Sequence, residues 1–334
     1  MPNFKSHLLR LKILEIMAGL SIGLAVCAPA DILAADSYPS KSIRLIIPFA
    51  PGGSNDIIGR MIAGKLSESL GKQVVPVNQV GSGGLLGMEA AAHSQPDGYT
   101  LVIVTPTYCI VRSSYSKLPF DPEKSFTPVA KLGAGPGVLV VHPGLPVKSV
   151  KELIALAKEK PGKLVTSAAG VGSYQHVAGA LFKVLTDIDM VTVQFKGGGP
   201  AIIDTMGGHS QIHFGTLPTT MPYIKSGKLR ALGVGALSRT SVLPDVPTIA
   251  EAGVPGYDAS MWWGILAPAG TPQAVVGRLN KELKGIVALE DTRKLFVAQG
   301  AEVDLLGPAE FGRFIESEAA KWANVVKKAN IKMD

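Results

Sequence analysis

The residues from Ile43 to Leu70 constrain the fold more than any other stretch, because they change character twice and later parts of the chain repeat the change. Ile43-Arg44-Leu45-Ile46-Ile47 is short, apolar and rich in β-branched residues, the pattern of a buried strand. Pro48 to Asp56 breaks the strand with prolines and glycines and then offers cap-forming side chains. Ile57, Ile58, Met61, Ile62, Leu66, Ser69 and Leu70 next fall on one helical face, and Gly71 stops the helix. A strand that passes through a glycine turn into a helix leaves unpaired backbone N–H groups at the carboxyl edge of a sheet, where the helix dipole favours an anion. The turn formed by Phe49, Ala50, Gly52, Gly53, Ser54, Asn55 and Asp56 therefore reads as a cradle for a carboxylate or phosphate. The plain alternative is a tight βα connection that binds nothing.

The plan recurs. Val74 to Val77 reads as a second strand, Asn78 to Gly84 as a turn containing Gly83 and Gly84, and Leu85 to Ser94 as a helix. Thr100 to Val104 is a third strand that ends in Thr105-Pro106-Thr107-Tyr108, which puts the Thr105 and Thr107 hydroxyls at the same sheet edge. Parallel strands joined by helices bring their carboxyl ends together, so these distant loops line one cleft. Gly133-Ala134-Gly135-Pro136-Gly137 is a composition break, and Val138 to Val141 opens a second α/β series. Ser149 with Glu152 makes a capping box for a helix to about Lys160. Leu164 to Ser167 and Val191 to Phe195 are strands; their turns carry Gly170, Gly172, Ser173, Tyr174 and His176 in one case and Gly197 and Gly198 in the other. Further strands fall near Gln211 to Phe214, Leu229 to Val234 and Met261 to Leu266, and helices follow Thr271, Asp291 and Pro308.

Ahead of all this, Lys5, Arg10 and Lys12 precede an apolar segment from Ile16 to Val26 and small residues at Ala28 to Ala30 and Leu33 to Ala35, the order of a secretory signal peptide over residues 1–35. The apolar run is short for a membrane span, and Val26 stands where a lipoprotein cleavage box wants a small residue. That leader carries three cations and two acids, so its removal lowers the formal charge of +7 by one. A mild positive balance suits an anionic solute; with no Lys/Arg run interleaved with aromatics, it does not point to nucleic acid. Once Cys27 leaves with the leader only Cys109 remains, which excludes an intrachain disulfide. About 300 mature residues are enough for two compact lobes held by their cores.

Enzyme motifs fail on their own chemistry. Gly59 to Leu66 nearly matches a phosphate loop, but Leu66 stands where a hydroxyl must reach magnesium and the segment lies inside a helix. Gly81, Gly83 and Gly87 miss the dinucleotide fingerprint, because Leu86 holds the third glycine's place. No G-x-S-x-G elbow occurs. His209 and His213 flank a strand without a neighbouring Glu or cysteine cluster, so no metal is expected, nor any cofactor. An enzyme acting on a small anionic substrate would have to draw on Asp56, Asp204 and His176; Asp56 reads better as a helix cap or an anchor of the glycine loop, Asp204 as facing solvent or a neighbouring loop, and His176 as a packing or capping residue.

Arg44 to Gly53 with Asp56 and Arg60, Val77-Asn78, Gly81 to Gly84, Gly87, Pro96 to Leu101, Gly170 to His176 and Phe195 to Ala201 together resemble the periplasmic solute-binding proteins of tripartite tricarboxylate transporters, the Bug or TctC-like family. The resemblance implies a two-lobed α/β periplasmic binding protein fold of type II-like plan, each lobe a mostly parallel sheet flanked by helices, with the ligand cleft between them. It divides the chain into a discontinuous first lobe, 36–136 with 257–334, and a second lobe, 137–256, crossing near Gly135 and Tyr257. It implies capture of a small carboxylate by lobe closure, through loop amides, hydroxyls and water, and delivery by a monomeric receptor to membrane permease subunits. Gln79-Val80, Tyr108 to Arg112 and Tyr174 depart from the family's usual sequence beside the expected pocket, which leaves the ligand's identity open.

Overall fold

The structure is a computed structural model that describes residues 38–115 and 117–331. The leader expected over residues 1–35 lies outside the described residues. Among the described residues no helix is long and apolar enough to cross a membrane.

The first unit runs β1 (Ile43–Ile47), α1 (Ser54–Leu70), β2 (Val74–Asn78), α2 (Leu85–Ala92), β3 (Thr100–Val104) and α3 (Pro106–Ser114). β1 pairs in parallel with β2 and with β3. Ile58, Ile62 and Leu66, spaced by one helical turn, are the fully buried ridge of α1. Gly59 lets that ridge sit close to the sheet: a Cβ there would lie 3.2 Å from Ile47 Cδ1. Burial of each of the three side chains contributes about 1.5–3 kcal/mol, which is what holds α1 against β1 and β3. Gly71 ends the helix in the left-handed conformation, φ 64°, with its N–H on Ser67 O.

β4 (Phe126–Val141) is a single 16-residue strand. It runs straight through the Gly133 to Gly137 segment, which composition alone marks as a break. These glycines answer to packing and not to a turn. A Cβ at Gly133 would lie 2.6 Å from Glu302 O, one at Gly135 would lie 3.0 Å from Gly300 O, and one at Gly137 would overlap the Tyr174 hydroxyl. Neighbouring chain comes too near for any side chain, and the strand continues because extended backbone costs glycine little that tertiary pairing does not offset.

The second series is α4 (Val150–Glu159), β5 (Val165–Ala168), α5 (Tyr174–Thr186), β6 (Val191–Gln194), α6 (Gly198–Met206), β7 (Ile212–Thr216), α7 (Leu217–Lys225) and β8 (Arg230–Val234). β5 pairs in parallel with β6 and β7. The chain then returns through β9 (Ser260–Pro268), α8 (Gln273–Ala288), α9 (Glu290–Ala298), β10 (Glu302–Leu306) and α10 (Pro308–Lys328). The strand order is β2-β1-β3-β9-β4-β7-β5-β6, with β8 and β10 also on β4. Each end of the sheet is thus a parallel trio, and β4 and β9, antiparallel to their neighbours, join the trios. Val138 and Val140 of β4 pack with Ile202, Leu217, Met221 and Leu229, which seats α6 and α7 on the sheet. Helix starts differ from the sequence reading in detail: α6 begins at Gly198, two residues before Pro200, and α9 at Glu290, with Asp291 inside its first turn and not at its cap.

Candidate functional site

Four helices begin at one small cavity. Ser54 and Asn55 come from the start of α1, Thr105 and Thr107 from the start of α3, Tyr174 and Gln175 from α5, and Gly198 from α6; Phe49, Gly53, Ala169 and Met261 complete the lining. This follows from topology. Each of these helices follows a strand of one or other parallel trio, so each N-terminus emerges at a carboxyl sheet edge. First-turn N–H groups have no intrahelical acceptor, and each N-terminus carries a partial positive charge of roughly half a unit. Among the described residues no Lys, Arg, His, Asp or Glu lines the cavity. It is a donor-rich, charge-free hole, suited to an anion that is held by hydrogen bonds and dipoles.

Asn55 is buried in this cavity, 4% exposed, and its amide Nδ2 has no hydrogen-bond partner among the described residues. A buried amide donor left unpaired costs on the order of 1–3 kcal/mol, so it acts as a standing demand for an acceptor. The N–H of Tyr174, by contrast, is already used: it donates to Thr107 Oγ1 at 3.1 Å and ties the start of α5 to the start of α3. The Tyr174 hydroxyl donates to Ala259 O, and burial pushes its pKa well above the ordinary tyrosine value, so it stays protonated.

The turn from Phe49 to Asp56 is held from behind. The Asp56 carboxylate accepts from Gly52 N–H at 3.0 Å, from Arg60 Nε at 2.8 Å and from Asn78 Nδ2 at 2.9 Å, and Asn78 Nδ2 also donates to Phe49 O. The acid is therefore committed to a clamp on the loop, with its charge neutralised by Arg60 away from the cavity. His176 Nδ1 accepts from Gly172 N–H at 3.1 Å, which requires the unprotonated nitrogen there. Burial, and secondarily Lys183, lowers the pKa of His176 and keeps the ring in that form. Asp204 accepts from Ser210 N–H. The three groups an enzyme would need are thus each engaged with a different partner. The Ser173 hydroxyl accepts from His176 N–H as the N-cap of α5 and is fully buried.

Of the residues expected from sequence, Phe49, Gly53, Ser54, Asn55, Thr105, Thr107, Tyr174 and Gly198 are brought to the cavity wall. Ala50, Gly52 and Gly197 form a contact between turns: Ala50 N–H donates to Lys196 O at 3.4 Å, and a Cβ on Gly197 would lie 3.0 Å from Ala50 N. Gly83, Gly84 and Gly170 line a second cavity next to the first. Gly83 has φ 61° and no room for a side chain, since a Cβ would collide with Val171 O. Gly172, Ser173, Asp56 and His176 stand behind the wall as supports. Sequence reasoning missed Gln175, Ala169 and Met261. Gln175 is the one that a signal could have found, because it is the second residue of a helix whose start had been singled out; its Nε2 lies against Gly198.

Comparison with known proteins bears on this geometry. The family model described as the tripartite tricarboxylate transporter family receptor matches residues 58–331. Protein BugT of Bordetella pertussis is 34% identical over 321 residues, which are 96% of this chain and 98% of BugT. The solved structure of R. palustris Rpa4515 with adipate superposes with a TM-score of 0.86 at 34% identity, covering 88% of this chain and 99% of that one. MatC from Rhodopseudomonas palustris, solved with bound malate, gives 0.83 at 30% identity, covering 86% and 100%.

Proposed function

The chain belongs to the tripartite tricarboxylate transporter receptor family, a family of solute-binding receptors and not of enzymes, and from that premise we propose that this protein captures a small carboxylate in the cavity where α1, α3, α5 and α6 begin. The observation that carries the reading is the convergence of four helix N-termini on a cavity without a charged side chain, with the unpaired Asn55 amide among its walls. Fixed donors of this kind bind an anion without ordering a long cationic side chain, which lowers the entropic cost of binding. Relatives solved with adipate and with malate support the choice of a carboxylate over a phosphate.

Capture proceeds by closure. The parallel trio of β1, β2 and β3 and that of β5, β6 and β7 form the cores of two lobes, and β4 and β9 are the crossings about which the lobes hinge. The contacts of Ala50 with Lys196 and of Gly83 with Val171 belong to the closed arrangement. The closed receptor, exported to the periplasm by its leader and acting as a monomer, then presents the carboxylate to the permease subunits of a tripartite transporter.

The test is a pair of ligand series. Melting temperature should rise with the concentration of a carboxylic acid that co-purifies with the periplasmic protein and should stay flat with the corresponding amide, which lacks the charge. Equal stabilisation by the amide would show that the four N-termini do not select an anion, and the proposal would fall.

A further inference from the structure

Two cavities in the cleft share a wall. Phe49 and Ala169 line both the inner cavity and an outer one that also involves Gly84, Phe195 and Lys196. The inner cavity has a volume of about 20 Å³ and the outer one about 350 Å³. The inner volume suits roughly one water, or the head of a carboxylate, so the remainder of any ligand has to pass the shared wall. Phe49 is held in that wall: it is buried, and its ring rests on Gly84, where a Cβ would lie 2.9 Å from Phe49 Cζ. Among the described residues Lys196 is the only Lys or Arg lining either cavity, it is exposed, and it forms no ion pair. The two compartments are therefore chemically unequal. The inner one offers only neutral polar groups, and the outer one has a cation at its edge.

We propose that Phe49 is the residue that sets ligand length, by partitioning the cleft, and that Lys196 selects an anionic far end in the outer cavity. This rests on the carboxylate reading above and goes beyond it, because that reading concerns only the head group. Shrinking the Phe49 side chain joins the compartments and admits a longer chain before its far end reaches Lys196. Removing the ammonium leaves the head group bound and takes away the preference for a charged tail.

Calorimetry with propionate, hexanoate, succinate, glutarate, adipate and suberate tests both residues, on the parent protein and on Phe49→Leu, Phe49→Ala and Lys196→Met. The parent should bind a diacid at least about tenfold tighter than the monoacid of equal carbon number. Lys196→Met should reduce that ratio to about threefold or less, while keeping the parent's preferred chain length. Phe49→Leu and Phe49→Ala should move the preferred diacid progressively longer. An unchanged ratio in Lys196→Met overturns the proposal, as does an unchanged length preference in Phe49 variants whose ligand-free melting temperature matches the parent. Phe49→Leu, which keeps most of the apolar volume, carries the length test should Phe49→Ala fail to fold, and the exposed Lys196 carries the far-end test independently. If the parent binds none of the six acids, this inference is overturned, while the carboxylate reading stands or falls separately on the acid-against-amide melting series.

Discussion

Lowering the pH from 8 to 5 should destabilise this protein through one buried histidine. His213 in β7 is fully buried; its Nδ1 lies 2.8 Å from Ser167 Oγ and 3.1 Å from the Ser167 carbonyl, which can only accept, so Nδ1 carries the hydrogen. Nε2 is then the unprotonated nitrogen, and it is buried with no hydrogen-bond partner among the described residues. Adding a proton there would place an unpaired charged donor in the core, and burial accordingly pushes the pKa down from 6.5 to about 4, against a smaller opposing effect of the Ser167 carbonyl. Above pH 6.5 the ring is neutral in folded and unfolded chains alike. Below it the unfolded chain takes up a proton that the folded chain refuses until about pH 4, so stability falls with pH across that window. A difference of about 2.5 pKa units corresponds to roughly 3 kcal/mol over the whole window, of which about 2 kcal/mol is lost by pH 5. His176, whose pKa is also lowered by burial, adds to the loss with the same sign. Urea denaturation at pH 8 and pH 5, on the parent and on His213→Asn, measures the effect. The variant keeps a donor near Ser167 but cannot titrate, so its loss between the two pH values should be smaller by about 2 kcal/mol. An equal loss in the variant would refute the assignment of this pH dependence to His213.

Three substitutions probe the site itself. Asp56→Asn places an amide against donors that now meet a carboxylate, and should cost about 2 kcal/mol in denaturation, with about tenfold weaker ligand binding by calorimetry as the Phe49 to Gly53 turn loosens. Ser173→Ala removes the cap of α5, and should lower stability by about 1 kcal/mol while ligand affinity changes by less than about threefold, because that hydroxyl is occupied by His176 N–H. Gly83→Ala should leave the secondary structure intact by circular dichroism but prevent the approach of Val171, so scattering should show no compaction on adding a ligand that compacts the parent.

Much of the fold was legible because its signals are local. The β-branched run of β1, the buried ridge of α1, the left-handed Gly71 and the Ser149 cap of α4 each depend on a few adjacent residues. The misreadings share the opposite cause. α3 looked like a loop because its Thr105-Pro106-Thr107 start resembles a turn, whereas proline near a helix start is favourable and tertiary packing on α10 completes the helix. β10 (Glu302–Leu306) was missed since a polar, half-buried strand has no strong alternation, and it exists through pairing with β4. At the site, the turns could be found from their glycines, but which side chains face the cavity could not. Ser173 and Asn55 are similar small polar residues at helix starts; one is consumed by its own helix and the other is left free, and only the packed backbone decides between them.

The glycines of β4 carry a mechanical implication. Gly133, Gly135 and Gly137 alternate along the strand, so they share one face, and that face carries no side chain where the two halves of the sheet meet. Interdigitated side chains act as gear teeth, since displacement must lift one rotamer past another. On the hinge reading proposed above, a bare backbone face is closer to a plain bearing, and the surfaces it meets are the Glu302, Gly300 and Ala259 carbonyls and the Phe296 and Tyr174 rings. A bearing of this kind tolerates no added material. Alanine at Gly137 would push on the hydroxyl of Tyr174, a cavity-wall residue, whereas alanine at Gly133 would meet the Glu302 carbonyl and the Phe296 ring and so press on this seam without touching the cavity lining.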